Sequence, residues 1–449
     1  MLHTHLRSVS LITLFFLGAT SRAQFPATLG PQAPHFSGFS PIVPGSMGSP
    51  SPLAPARNAA APMGARSAAV RPMAPAAHFA DEFRNGPHST KGTTSVYSGP
   101  FRFASTGTPA TAARDQAFEA ARTTLVRMLD GREPLHLGNA IEAMERPFVE
   151  TTGTHASLGE LLDQVAKVVR AHIASAGGDA SDPLMVHWGI QALYRDTFVD
   201  PTTGRTWSPL RYDFDDPNGE EDIRKVTVGK LLLTGEGQCR SMPLLYLALA
   251  ERLHAEAFLA FAPNHSYVKF RDGTGTFHNF ETTNGRPASD AWLAGSGHVR
   301  TEGIKSRAYL DTVGTRRVVA HLLVELAAYY AQRHGYAEPF MEQCLQRALK
   351  EYPQDIHGWM ELSNLRTATF DRALWQAGQP ALNDLERLRP DLAERLADLK
   401  ALYGQVDRLG YAPMPPELYA RWRSSVDAAK EERLRKTLAQ PLPPARIVR

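Results

Sequence analysis

The sequence predicts an α+β fold: a buried helix packed on an antiparallel sheet, with flanking helices and a helical C-terminal region. Three observations carry this. Met242 to Leu253 has strong helix formers at nearly every position and apolar residues on almost every face, so that helix should be buried. Three short strand-like runs follow it, Ala257 to Phe261, Ser266 to Phe270 and Thr276 to Glu281, punctuated by Pro263-Asn264 and by Arg-Asp-Gly-Thr-Gly. Amphipathic helical periodicity then dominates the segments on either side.

In chain order, residues 1–23 read as a secretory signal. His3, His5 and Arg7 make a weakly basic start, Val9 to Ala19 an apolar core, and Ser21-Arg22-Ala23 a small-x-small cleavage site. The apolar run falls far short of the roughly 20 residues that span a bilayer. The expectation is cleavage and export, to a periplasm or out of the cell, with no stable membrane span left behind. Residues 24–95 are rich in Pro, Ala, Ser and Gly and cannot bury enough surface to fold, so they read as a disordered spacer.

The globular part is expected to comprise residues 96–315, holding the buried helix and sheet, and a helical extension at 316–440, with a disordered tail at 441–449. The chain carries 49 Lys+Arg against 46 Asp+Glu, a net charge of +3, which gives no electrostatic case for a nucleic-acid partner. No zinc spacing or phosphate loop is present, so neither a metal nor a cofactor is expected.

Thr111 to Leu129, Leu135 to Met144, Ser157 to Ala176 and Leu184 to Leu193 read as helices. His187 on the last of these reads as a packed histidine rather than a ligand. Tyr212 to Asp222 is a dense acidic loop with a Pro-Asn-Gly turn. It lacks the ligand order of a calcium loop and reads as a solvated turn.

The chemistry concentrates between Leu231 and Gly285. Pro243 is tolerated only in a first helical turn, which places Cys239 at or just before the helix start. There the helix dipole and free N–H groups favour thiolate, the reactive form. Gly235 and Gly237 give the backbone freedom to enter that turn. Asn264-His265 opens the second strand. A hairpin symmetric about Gly273 places His265 directly opposite Glu281, with Asn279 diagonal on the same face and His278 on the other. A histidine held by a carboxylate or amide, facing a helix-start cysteine, is what thiol acyl transfer needs. A one-residue slip in register would turn Glu281 away.

Gly237-Gln238-Cys239, then Asn264-His265, then Glu281-Thr282-Thr283 resemble, in that order, the Cys, His and Asp motifs of the transglutaminase-like (papain-like thiol) superfamily. The resemblance covers about Val226 to Asn284. It implies Cys239 as nucleophile, His265 as base and Glu281 as orienting group, where the family has Asp. Asn279 is the alternative third member, as in papain-like sites. Arg240 stands where the family often has an aromatic residue. The backbone N–H of Cys239, with Gln238 as a second donor, would stabilise the oxyanion, and Asn264 lies beside the base.

After the strands, Asp290 and Trp292 either line the cleft beside Glu281 or belong to core and rim. Arg316 to Arg333 and Pro339 to Tyr352 read as helices. Leu345, Ala348 and Pro353, then Trp359 and Leu362, sit at offsets that resemble a tetratricopeptide helix pair and the start of another. Such an extension either presents a peptide groove to a protein partner or only completes a core. Leu382 to Leu409 and Glu417 to Leu438 read as further helices. The second of the two cysteines, Cys344, lies in the extension, and the expectation is that Cys239 stays free.

Three function classes follow. The first is an exported cysteine peptidase or amidase acting on a peptide or protein amide through a thioester, with a crosslinking transferase as the variant whose acceptor is an amine instead of water. The second is a non-catalytic peptide-binding protein with the same fold. The third is a structural envelope component.

Overall fold

The computed structural model describes residues 102–103, 111–150, 157–216, 219, 222–336 and 339–412, with isolated helical positions at 424, 428, 431 and 435. The expected signal (1–23), the spacer (24–95), most of the Glu417 to Leu438 helix and the tail (441–449) lie outside the described residues.

The fold is α+β. A two-residue strand β1 (Arg102–Phe103) pairs with β2 (Val149–Glu150). Helices α1 (Thr111–Leu129), α2 (Leu137–Glu145), α3 (Leu158–Ser175) and α4 (Pro183–Arg195) follow the expected order. Helix α3 starts where Ser157 and Glu160 form a capping box, and α4 where Asp182 accepts from Leu184 N–H with proline at the first helical position. Short strands β3 (Phe198–Val199), β4 (Thr206–Trp207) and β5 (Arg211–Tyr212) lead into helix α5 (Val228–Thr234), strand β6 (Glu236–Gly237) and the central helix α6 (Ser241–Arg252).

The main sheet holds β7 (Ala257–Ala262), β8 (His265–Arg271), β9 (Phe277–Glu281) and β10 (Arg286–Ala288), all antiparallel in the order β10-β9-β8-β7. Strand β8 is buried on both faces. Val268 and Phe270 enter the main core with α6, whereas Tyr267 packs with Ala260 and Leu293 on the far side. That far side is covered by α7 (Asp290–Ser296), which is followed by α8 (Thr301–Lys305). The free edge of β7 is closed by the segment ending at Val313, which exchanges backbone hydrogen bonds with Leu259 at 2.8 and 3.0 Å.

The remaining helices are α9 (Thr315–His334), α10 (Phe340–Glu351), α11 (Ile356–Gln376), α12 (Leu385–Leu388) and α13 (Pro390–Arg408). Helix α9 contributes Val318, Val319, Leu322, Leu323 and Leu326 to the same hydrophobic core as α6 and β8. Beyond it, Phe370, Leu385, Leu392, Leu399 and Tyr403 form a small separate cluster. No helix among the described residues is long and apolar enough to cross a membrane.

One expectation is corrected by the sheet register. The hairpin is not symmetric about Gly273: Val268 pairs with Phe280 and Arg271 with Phe277, which centres the turn on Thr274. The cause is Asp272. Its Oδ1 accepts from Thr274 N–H (2.8 Å) and Thr276 N–H (3.0 Å), and its Oδ2 from His278 (2.7 Å), organising a five-residue loop. Continuing this register puts Glu281 across from Tyr267. Because the shift is two residues, Glu281 stays on the face of His265.

Candidate thiol site

Two glycines shape the approach to Cys239 for different reasons. Gly235 ends α5 in the left-handed region at φ 70°, where a side chain would be strained. Gly237 is needed for space: a Cβ there would sit 2.7 Å from Ser241 Oγ and 2.9 Å from Leu231 Cδ1. The chain then turns through Cys239 and Arg240 into α6, and Met242 N–H already reaches Gln238 O at 3.0 Å. Cys239 is therefore in the entering turn, two residues before Ser241, and is 6% exposed. Ser266 Oγ donates to the Cys239 carbonyl at 2.5 Å and ties this turn to the start of β8.

His265 opens β8 because the β7–β8 hairpin closes on two residues. Ala262 pairs with His265, and Asn264 between them takes φ 58°, which Asn tolerates after Pro263 in a tight turn. The His265 Nε2 edge hydrogen-bonds Glu281 Oε2. Glu281 is itself fixed, since Oε1 accepts from Thr283 N–H (3.1 Å) and Thr283 Oγ1 (2.8 Å). The other ring nitrogen, Nδ1, is buried without a well-aligned partner, and the Cys239 thiol lies beside the ring. Burial alone would lower the imidazole's pKa. The Glu281 charge and hydrogen bond, with the neighbouring Cys239 sulfur, outweigh it and hold the pKa well above the ordinary value, so the ring favours the imidazolium form.

The other sequence-predicted residues are placed as follows. Asn264 lines the cleft beside Cys239 and His265. Gln238 is fully buried, and its Nε2 has no hydrogen-bond acceptor. Asn279 shares the face of His265 but is used elsewhere, donating to Ala288 O (3.1 Å) and Asp290 Oδ1 (2.9 Å). Of the two candidates for third member, Glu281 is the one that touches His265. Asp290 also binds Lys269 at 3.1 Å, and neither Asp290 nor Trp292 lines the cleft. His187 is fully buried against Phe270, hydrogen-bonds the Tyr246 hydroxyl at 3.1 Å, and has its pKa lowered to about 4 by desolvation. In the acidic loop, Asp213 pairs with buried Lys230 at 2.5 Å and Asp222 with Arg224 at 2.6 Å. Cys239 and Cys344 are both free thiols, and burial pushes the Cys344 pKa far up.

Cys239 and His265 open into a cleft of about 230 Å³ whose opposite wall is built by α9 and α11. That wall carries His321, Glu325, Tyr329, His357 and Glu361, residues that sequence reasoning missed. A signal was present: His321/Glu325 and His357/Glu361 are polar pairs at i,i+4 on largely apolar helices. Arg240, the departure from the motif, ties the site together. It reaches across to Glu325 (Nε to Oε1 and Nη2 to Oε2, both 2.9 Å), bonds Val226 O at 2.8 Å, and lies 3.3 Å from Glu145. Glu145 in turn accepts from the first N–H groups of α5, at Val228 (2.7 Å) and Gly229 (3.1 Å). One buried ionic network thus clamps the nucleophile turn to α2, α5 and α9.

No family model and no curated protein matches the chain. Among solved structures it is similar to menin, in a crystal structure that reveals menin's binding site for the Mixed Lineage Leukemia protein. The identity is 13%, over 69% of this chain and 88% of that one, with a TM-score of 0.27. A likeness that slight carries no argument about fold or function.

Proposed function

We propose that the chain is an exported cysteine peptidase or amidase with a transglutaminase-like core, acting on a peptide or protein amide through a thioester. The observation that carries this reading is the ordered line of Cys239, His265 and Glu281, the first two facing one cleft and the third behind the ring. Cys239 sits in the turn entering α6, His265 beside it, and Glu281 on the far ring nitrogen of His265. Cys239 Sγ attacks the amide carbonyl as the thiolate. The imidazolium of His265 gives its proton to the leaving amine; the neutral ring then takes one from the attacking water, and collapse releases the acid and restores the thiolate–imidazolium pair. Glu281 fixes the ring orientation and stabilises its charge. The Cys239 backbone N–H supplies a donor for the oxyanion; Gln238, fully buried, does not line the cleft. The mostly apolar cleft walled by α9 and α11 suits an extended peptide side chain.

The test is the rate of Cys239 alkylation against pH in protein carrying Cys344→Ser, with and without His265→Ala. A rate that stays high at acidic pH, where a free thiol of pKa about 8.5 is unreactive, and that is lost in His265→Ala, is the expected result. An ordinary thiol profile indifferent to the histidine would overturn the reading.

A further inference from the structure

We propose that His321, Asp355 and His357 form a binding site for a divalent first-row transition metal ion, Zn²⁺ above all, in the wall of the cleft that holds Cys239. The inference rests on geometry alone and is independent of the thiol chemistry.

The three side chains converge from two helices. His321 comes from the second turn of α9, Asp355 is the N-cap of α11, and His357 lies in the first turn of α11. Each offers one ligand atom, and these atoms all lie within 4.8 Å of one another. Two imidazoles with one carboxylate are borderline N/O donors, which suit zinc, cobalt or iron and not the all-oxygen ions calcium and magnesium. Asp355 stands between the rings, with Oδ2 2.7 Å from His321 Nδ1 and Oδ1 3.6 Å from His357 Nδ1. Metal–ligand bonds of about 2.0–2.2 Å place neighbouring ligand atoms roughly 3–3.5 Å apart. Small side-chain adjustments would close the set on an ion.

Helix capping and pairing account for two of the three residues. Asp355 Oδ1 accepts from the N–H groups of His357 (3.1 Å) and Gly358 (3.3 Å), and Oδ2 takes the His321 ring. They do not account for His357, whose Nδ1 is buried with no hydrogen bond. An ion bound there would satisfy it. The two backbone bonds hold the carboxylate in place beforehand, as supporting partners do in metal centres. Both histidines line the cleft, so the remaining coordination positions open toward it, with the Phe261 ring 4.7 and 5.4 Å from the two imidazoles as the apolar flank.

The test uses the full chain without a histidine tag, stripped by chelator and titrated with Zn²⁺ by calorimetry and with Co²⁺ by visible absorption. The expected result is saturation at one ion per chain and a rise in Tm with Zn²⁺. Affinity should fall at least tenfold in His357→Ala and in His321→Gln, with the Zn²⁺-dependent rise in Tm lost in His357→Ala and affinity unchanged in Cys239→Ser. Absence of saturable binding in the unmodified chain would overturn the proposal. So would affinity retained in both histidine variants, or lost in Cys239→Ser, which would put the ion on the thiol and His265 instead.

Discussion

Glu281 makes its two contacts with separate oxygens, Thr283 on one and His265 on the other. Replacing it by Gln keeps the shape and removes the charge. The substitution should lower the acid-limb alkylation rate of Cys239 by on the order of 100-fold or more, the scale of a lost orienting carboxylate. Stability should respond as well. The folded pKa of His265 is raised because the Glu281 charge and hydrogen bonds outweigh burial. Its contribution is therefore present in full below the ordinary value of 6.5 and is lost as pH rises through the folded value. Urea denaturation of Glu281→Gln between pH 6 and 10 should show a flatter alkaline decline than the unmodified chain. Glu361 gives the opposite case. Desolvation raises its carboxyl from 4.5 to about 7, and one oxygen has no hydrogen-bond partner. An acid whose charged form is disfavoured in the fold costs stability as pH rises from about 4.5 to 7. Glu361→Gln should thus be more stable than the unmodified chain by on the order of 1–3 kcal/mol at pH 8, and little different at pH 4.

At the scale of elements, the segment from the end of α5 through β6 into α6 sets where the thiol points. Gly235→Ala places a Cβ in open space at positive φ, so only backbone strain of about 1 kcal/mol opposes it. Gly237→Ala drives a Cβ against Ser241 and Leu231, and overpacking there should cost about 1–3 kcal/mol or displace the turn. Thermal denaturation should rank Gly237→Ala below Gly235→Ala, and thiol reactivity should fall further in the former. Equal losses in both would mean that the close packing at Gly237 is dispensable. Arg240 belongs to this scale too. It is a partly buried cation with four oxygen partners, and it makes the nucleophile turn part of a network spanning three helices.

At the scale of the molecule, α9 is an integral part of the core and also a wall of the cleft. Six of its valine and leucine side chains lie in the cluster that includes α6 and β8. Removing each such side chain costs about 2–5 kcal/mol, against a total stability of only about 5–15 kcal/mol. A chain ending at residue 314 should show no cooperative urea transition and no near-ultraviolet dichroism. If that fragment unfolds cooperatively, the helix is an appendage, and the cleft belongs to the N-terminal part alone.

The order of helices and strands was legible in the sequence because periodicity, capping and turn residues act over a few positions. Ser157 with Glu160, Asp182 with Pro183, and the apolar run of α6 each name their element locally. The face shared by His265 and Glu281 was legible too, although the register was not. The pleat alternates every second residue, so the two-residue shift imposed by Asp272 left the face unchanged. Tertiary structure alone decided the rest. It drew Asn279 toward Asp290, placed Glu281 on the ring of His265, and brought α9 and α11 across the cleft from Cys239. Those contacts join residues from 11 to more than 80 positions apart, beyond the few positions over which local pattern acts, so packing decides them.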